Sequence, residues 1–189
     1  MKFQFAVSVA VAVLALQACS APADPVAAEA PVPAGMPAEA PAPAQVQAAS
    51  IVLDAVGLTV DGATVAIGAS KVATVAAVTA AIGGPPAVTD AFEECGAGPM
   101  DHVSWDNGLH LLFQQDAFAG WQTTAPDLST AGGIHVGSTL AALQAAYPGV
   151  AIEQDTIGWY FTAGGIDGYL DEAKAVIQRL NVGVTCDAT

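Results

Sequence analysis

Basic residues are scarce in this sequence. Its 189 residues include 4 lysines and arginines against 18 aspartates and glutamates, and the formal net charge is −14. Proteins that bind nucleic acids need clustered cations to displace the counterions of the phosphate backbone. Such cations also draw domains to anionic lipid headgroups. The composition therefore excludes nucleic acid as a partner and direct electrostatic binding of the domain to a membrane, and it favours a partner with a basic surface.

The signatures of several enzyme classes are also missing. The sequence has no Gly-x-Ser-x-Gly elbow, no P-loop and no dinucleotide-binding glycine pattern. Its adjacent carboxylates, Glu93-Glu94 and Asp171-Glu172, are typical of a solvated edge rather than of a glycosidase pair. We predict no catalytic residue and no cofactor, and a non-catalytic role, although an enzyme site without a recognisable motif stays open.

Three histidines give no metal motif. His102 and His110 flank Asn107-Gly108, a dipeptide that predicts a two-residue hairpin turn. With that turn the two histidines point to opposite faces of the sheet and cannot share an ion. His135 has no histidine or acidic neighbour at ligand spacing. We therefore predict no metal site.

An apolar leader precedes the first of three cysteines. Met1-Lys2 gives a positive start, residues 5–16 carry no charge, and Leu16-Gln17-Ala18-Cys19 resembles a bacterial lipobox. The apolar run is shorter than the roughly 20 residues that a transmembrane helix needs. The pattern predicts a signal peptide over residues 1–18 and a lipoprotein anchored by acylation, such as palmitate, of Cys19.

The sequence after the leader bears on localisation. Ordinary cleavage after Ala23, without a lipid, is the alternative to lipidation. Ser20 follows the cysteine, and in enteric lipoproteins serine at this position permits sorting to the outer membrane. For a Gram-negative host we therefore expect a lipid-anchored cell-envelope protein on the outer membrane, facing the periplasm.

Residues 19–50 have the composition of a linker. Residues 20–50 contain twelve alanines, seven prolines and no aromatic residue. Such a segment has nothing to bury, and its prolines interrupt helices. We expect a disordered, extended spacer between the lipid and a domain over residues 51–189.

Two cysteines belong to that domain. An exported chain folds in an oxidising compartment, where paired cysteines usually form disulfides. We predict a disulfide bond between Cys95 and Cys186. A free-thiol or metal pair is the alternative, and neither a Cys-x-x-Cys motif nor a nearby histidine supports it.

Helical and strand patterns alternate in the domain. Two helices are predicted where apolar residues recur at i, i+3 and i+7 before glycine or proline, and short strands follow each of them. Residues 170–180 also match helical spacing, but their second half favours a strand. The helices are predicted over 70–83 and 137–149, and the strands over 51–53, 58–60, 99–105, 109–114, 118–123, 156–162, 169–170 and 175–183.

This order predicts an α+β fold with two layers, in which short helices pack on an antiparallel sheet. The helix-plus-meander order occurs twice, which suggests tandem halves over 51–125 and 126–189. An accidental repetition of a common order is the alternative.

Two segments support a family resemblance. Residues 134–148, with Gly137-Ser138-Thr139 before the helix and Tyr147-Pro148 after it, resemble the opening of the SmpA/OmlA cell-envelope domains and the tandem β-lactamase inhibitor proteins. The end, residues 176–186, is similar to the last strand and cysteine of many exported proteins. The resemblance implies the architecture and not a particular binding face.

Aromatic residues are the remaining candidates for a binding surface. Tryptophan and tyrosine often anchor protein interfaces, although most are expected in the core. We predict a membrane-tethered module that binds another envelope protein, and an exported enzyme or small-ligand carrier is the alternative. The candidate binding residues are Trp105, Trp121, Trp159 and Tyr160.

Overall fold

The fold is described from a computed structural model, which covers residues 50–186. The predicted signal peptide, the predicted lipidation site Cys19 and nearly all of the predicted linker lie outside these residues. The described residues belong to one compact unit. They form two helices and twelve strands: β1 Ile51–Asp54, β2 Gly57–Val60, β3 Ala63–Ala66, α1 Lys71–Ile82, β4 Val88–Phe92, β5 Met100–Ser104, β6 Leu109–Gln114, β7 Ala117–Thr123, β8 Ser129–Thr130, α2 Leu140–Ala146, β9 Glu153–Gln154, β10 Trp159–Ala163, β11 Ile166–Leu170 and β12 Ile177–Gly183.

The predicted α+β class is confirmed. An eight-stranded sheet has the order β4-β5-β6-β7-β12-β11-β10-β9, and every neighbouring pair in it is antiparallel. A four-stranded sheet has the order β3-β2-β1-β8, in which β1 and β8 are parallel. The pairing of β7 with β12 therefore joins the two halves of the large sheet, although these strands are more than 50 residues apart in sequence.

The main core lies on one face of the large sheet. Val78 of α1, Leu143 of α2 and Leu53 of β1 are fully buried there together with sheet residues such as Trp121 and Leu180. The indole Nε1 of Trp121 donates a hydrogen bond of 3.0 Å to the backbone oxygen of Asp54, which ties the two sheets together. Both helices and the small sheet thus cover the same side of the large sheet, which we call its inner face.

The two helices begin with similar backbone contacts. Each N-terminus is held against the start of β7 or β12, the two strands that join in the middle of the large sheet. Thr139 caps α2 by accepting a hydrogen bond from the Ala142 N–H, whereas Ser70 precedes α1 without such a bond. The matching amide-to-carbonyl bonds are Gly68 to Phe118, Phe118 to Ala69 and Lys71 to Asp116 for α1, and Gly137 to Ile177, Ile177 to Ser138 and Leu140 to Ala175 for α2.

Candidate docking face

The other face of the large sheet carries a row of polar side chains. Because side chains alternate along each strand, residues whose neighbours point into the core point to this side, which we call the outer face. The register aligns one such residue on each of six neighbouring strands. The row consists of Ser104, His110, Gln122, Asn181, Asp167 and Thr162.

An aromatic and acidic cluster extends this row over β9–β12. Tyr160 and Tyr169 face each other across β10 and β11, with ring centroids 6.3 Å apart. The Tyr160 hydroxyl donates to Glu153 at 2.6 Å, and the Tyr169 hydroxyl donates to Asp155 at 3.1 Å. The guanidinium carbon of Arg179 lies 4.3 Å from the centre of the Tyr169 ring. The cluster therefore presents aromatic rings bordered by carboxylates, and its cation lies against a ring.

Hydrogen bonds set the charge of this cluster. The backbone N–H of Gly158, followed by lesser contributions that include the Arg179 charge, lowers the pKa of the Asp155 carboxyl. The hydrogen bond to Glu153 raises the pKa of the Tyr160 hydroxyl. Asp155 thus stays negative and Tyr160 stays a neutral donor at neutral pH.

A histidine pair occupies the opposite part of the outer face. His102 Nε2 and His110 Nδ1 are 2.8 Å apart, and the two rings lie edge to edge and nearly coplanar, with centroids at 5.1 Å and an interplanar angle of 15°. Phe92 of β4 stacks on the His102 ring at 5.2 Å. The pKa of each histidine is lowered mainly by burial.

The prediction that these histidines lie on opposite faces is wrong. The turn after β5 has three residues rather than two, because Trp105 donates to Leu109 and Gly108, with φ of 88°, donates back to Trp105. Ser104 therefore pairs with His110 and brings His102 to the same face. A shift of one residue in register moves every side chain of a strand to the other face.

The four predicted aromatic residues do not form one surface. Trp105 and Trp121 are 3% and 0% exposed and belong to the main core, so neither is part of the candidate docking face. Trp159 and Tyr160 are neighbours on β10 and therefore point to opposite faces. Tyr160 alone of the four reaches the outer face, whereas Trp159 packs at the edge of the core beneath Lys174.

Every basic side chain of the described residues lies over an aromatic ring. Lys71 Nζ is 5.9 Å from the Phe113 ring centre and forms a 2.7 Å ion pair with Asp101. Lys174 Nζ lies 3.4 Å from the Trp159 ring centre. Residues 50–186 hold fourteen acidic side chains and three basic ones. The surface potential is therefore negative, and the few cations are already engaged.

The two domain cysteines lie in one small hydrophobic cluster. Cys95 is buried beside Met100 and Leu112, and Cys186 packs against the same cluster. The cluster covers the outer face at the start of β5. It brings together a loop and the C-terminal segment, which are about 90 residues apart in sequence.

The described residues also line two clefts large enough for a small molecule. One, of about 530 Å³, lies beside the β6–β7 turn, and the other, of about 560 Å³, lies between β9 and the turn after β11. Neither is lined by a histidine. Their acidic residues are Glu93, Asp101 and Asp116 in the first cleft and Asp155 and Glu172 in the second.

The part of the chain that the structure describes offers no metal site and no membrane-spanning helix. Among residues 50–186, no three His, Cys, Asp or Glu side chains group together as a metal site requires. Neither described helix combines the length and the apolar character needed to span a bilayer. Comparison of the chain with family models, curated proteins and solved structures finds no significant match.

Proposed function

We propose that this chain is an exported cell-envelope lipoprotein whose domain binds another protein without catalysing a reaction. The anchor would be the acylated Cys19, and the spacer would be residues 19–50. Support comes from the lipobox-like sequence behind a charge-free apolar run, and from the alanine and proline content of the spacer. For a Gram-negative host, Ser20 favours the outer membrane, with the domain facing the periplasm.

The partly exposed aromatic and acidic cluster on the outer face over β9–β12 is the observation that carries the binding function. Antiparallel sheets commonly leave one face to solvent, although Ser104 and Asn181 of the polar row are buried and the Cys95 cluster covers the start of β5. This face combines tyrosine and arginine, which are favoured at interfaces, with a polar row. The acidic excess of the domain favours a partner with a basic surface, because opposite potentials accelerate encounter and select partners.

The tandem organisation predicted from the sequence is part of this proposal. Each helix is followed by four strands of the large sheet, except that β8 separates the two series and joins the small sheet. The strand order β4-β5-β6-β7-β12-β11-β10-β9 is that of two meanders placed side by side in opposite directions. The matched backbone contacts of α1 with β7 and of α2 with β12 support an internal repeat.

A disulfide between Cys95 and Cys186 would crosslink the loop before β5 to the C-terminal segment. Both residues border the same hydrophobic cluster, and an exported chain meets oxidising conditions. We expect Cys95→Ser and Cys186→Ser each to destabilise the oxidised protein by about 2–5 kcal/mol. Under reducing conditions the wild type should fall to the stability of the variants, and no change on reduction would contradict the bond.

Two clefts keep an exported enzyme or small-ligand carrier as the second candidate. Their volumes suit a small molecule, and carboxylates line both. The first cleft has Asp101 held by Lys71, which fixes the carboxylate in place. Thermal stabilisation by a defined sugar or peptide, lost in Asp116→Asn, would favour this candidate.

Site-specific photocrosslinking tests the docking proposal. A photoreactive amino acid at Thr162, exposed on the outer face, should give a discrete adduct in intact cells. The matched control is Ala141, exposed on α2 on the inner side. The adduct from position 162 should weaken in high salt because the proposed attraction is electrostatic. Equal adducts from both positions, or none from position 162, would contradict docking through the outer face.

Lipidation needs its own experiment. Metabolic labelling with a palmitate analogue should mark the wild-type chain and not Cys19→Ala. Labelling that persists in Cys19→Ala would refute acylation at this residue without affecting the docking proposal.

A further inference from the structure

The histidine pair is built so that at least one ring must be neutral. The 2.8 Å separation between His102 Nε2 and His110 Nδ1 is a hydrogen bond, which requires one N–H donor and one free lone pair. A single added proton can be held, because the charged ring donates to the neutral one. A second proton removes the acceptor and leaves two cationic rings with centroids 5.1 Å apart.

The pair also connects three strands at the edge of the large sheet. His102 and His110 lie on β5 and β6, and Phe92 of the edge strand β4 stacks on His102. Phe92 packs in turn against the cluster that contains Cys95. Among the described residues, β4 pairs with β5 alone, so this stack is one of the few side-chain contacts that hold it.

The neighbouring groups are few, and one of them is charged. On β4, Asp90 lies directly opposite His102, and its charge opposes the effect of burial on that ring. On β5 the neighbour of His110 is Ser104, and on β7 it is Gln122, both uncharged. The His102 charge further lowers the pKa of His110. The first proton is therefore stabilised near Asp90, and the second meets no other carboxylate of β4, β5 or β7 on this face.

We propose that His102 and His110 act as a proton-operated lock, which holds the edge strand β4 against β5 at neutral pH and releases it in mild acid. Double protonation would separate the two histidine rings and break the ring contact between His102 and Phe92. The edge of β5 that pairs with β4 would then become exposed. Double protonation would also add positive charge to the face that we propose receives a basic partner. This regulatory consequence rests on the proposed docking function, whereas the lock itself does not.

Amide hydrogen exchange on the full-length protein tests the lock without a partner. Protection factors, which correct for intrinsic exchange, should fall for β4 on the order of tenfold between pH 7 and pH 5, while those of β10 change little. In His110→Gln, which cannot take the second proton, the acid-dependent loss at β4 should disappear. His135→Gln is the matched control, because His135 lies before α2 and contacts the Val136 carbonyl instead.

Titration of the histidines in the wild-type protein tests the lock independently of whether the variants fold. Imidazole nitrogen shifts should show His102 and His110 titrating in two coupled steps. Independent single-step titration of both rings, or loss of β4 protection that persists in both His110→Gln and His102→Gln, would overturn the lock. Crosslinking from position 162 at pH 7 and pH 5 separates the two proposals. A functioning lock with no adduct at either pH would refute docking alone.

Discussion

Replacement of Trp121 should damage the fold rather than a binding surface. The side chain is 0% exposed, and its Nε1 bonds to Asp54 of the other sheet at 3.0 Å. Loss of a buried tryptophan to alanine costs about 3–5 kcal/mol. The lost hydrogen bond to the part-buried Asp54 oxygen adds about 0.5–1.5 kcal/mol. Since domains of this size are stable by only about 5–15 kcal/mol, Trp121→Ala should be marginally folded at best.

Two phenylalanine variants isolate the hydrogen bond from the burial. Trp105 is 3% exposed, and its buried Nε1 has no hydrogen-bond partner among the described residues. Trp105→Phe therefore loses apolar contact but also removes an unsatisfied donor. Trp121→Phe loses similar contact and in addition loses the hydrogen bond to the Asp54 oxygen. We expect Trp121→Phe to be less stable than Trp105→Phe by about 1–3 kcal/mol.

Urea denaturation with crosslinking from position 162 is the assay. The midpoints should follow the order wild type, Trp105→Phe, Trp121→Phe, with equal slopes if the unfolded surface is unchanged. Equal midpoints for the two phenylalanine variants would refute the role assigned to the Asp54 bond. A Trp121→Ala protein with the wild-type midpoint and no adduct would refute its assignment to the core.

Two further predictions concern stability. Gly120→Ala should destabilise by about 1–3 kcal/mol, because a Cβ would lie 2.4 Å from the Val182 oxygen and 2.9 Å from the Val184 oxygen, and backbone cannot rotate away. Gly158→Ala, whose Cβ meets no atom within 4 Å, should be near neutral in the same urea titration. The protein should also be less stable at pH 5 than at pH 7, because burial lowers the pKa of His102 and His110 below the ordinary 6.5 and the unfolded chain then binds more protons. This part of the stability is fully present above pH 6.5 and is lost as the pH falls through the lowered pKa values; it should be absent in the His102→Gln/His110→Gln double variant, and an unchanged pH profile there would contradict it.

The helices and the longer strands could be predicted from local patterns. The expected helix over residues 70–83 is α1, ending at Gly83 in the left-handed conformation, and the expected strand 109–114 is β6. These features depend on neighbours in sequence, which is why composition and periodicity reveal them.

The short strands could not be predicted in the same way. β8 and β9 have two residues each, and β4 is almost wholly exposed, so neither length nor alternation marks them. Their extended conformation is stabilised by pairing with the neighbouring strands β1, β10 and β5. The join of β7 to β12 is likewise a long-range contact that leaves no local signal.

The histidine pair was missed for a similar reason. Asn107-Gly108 is compatible with loops of two or three residues, and the flanking strands decide between them. With a three-residue loop, Val103 of β5 lies opposite Leu111 of β6, and both are buried in the core. A two-residue loop would turn Val103 to the other face. Burial of Val103 thus selects the register, and the shared face of His102 and His110 follows from it.

The composition of the outer face follows from the same alternation. Adjacent residues of a strand cannot share a face, so Trp159 and Tyr160 could never have formed one surface. Phe161 settles which of them points outward, because it packs on Gly168 and Leu180 in the core and thereby brings Trp159 to the inner side. Tyr160 is then left opposite Tyr169, where its hydroxyl reaches Glu153. A single buried phenylalanine therefore determines which aromatic residue is available to a partner.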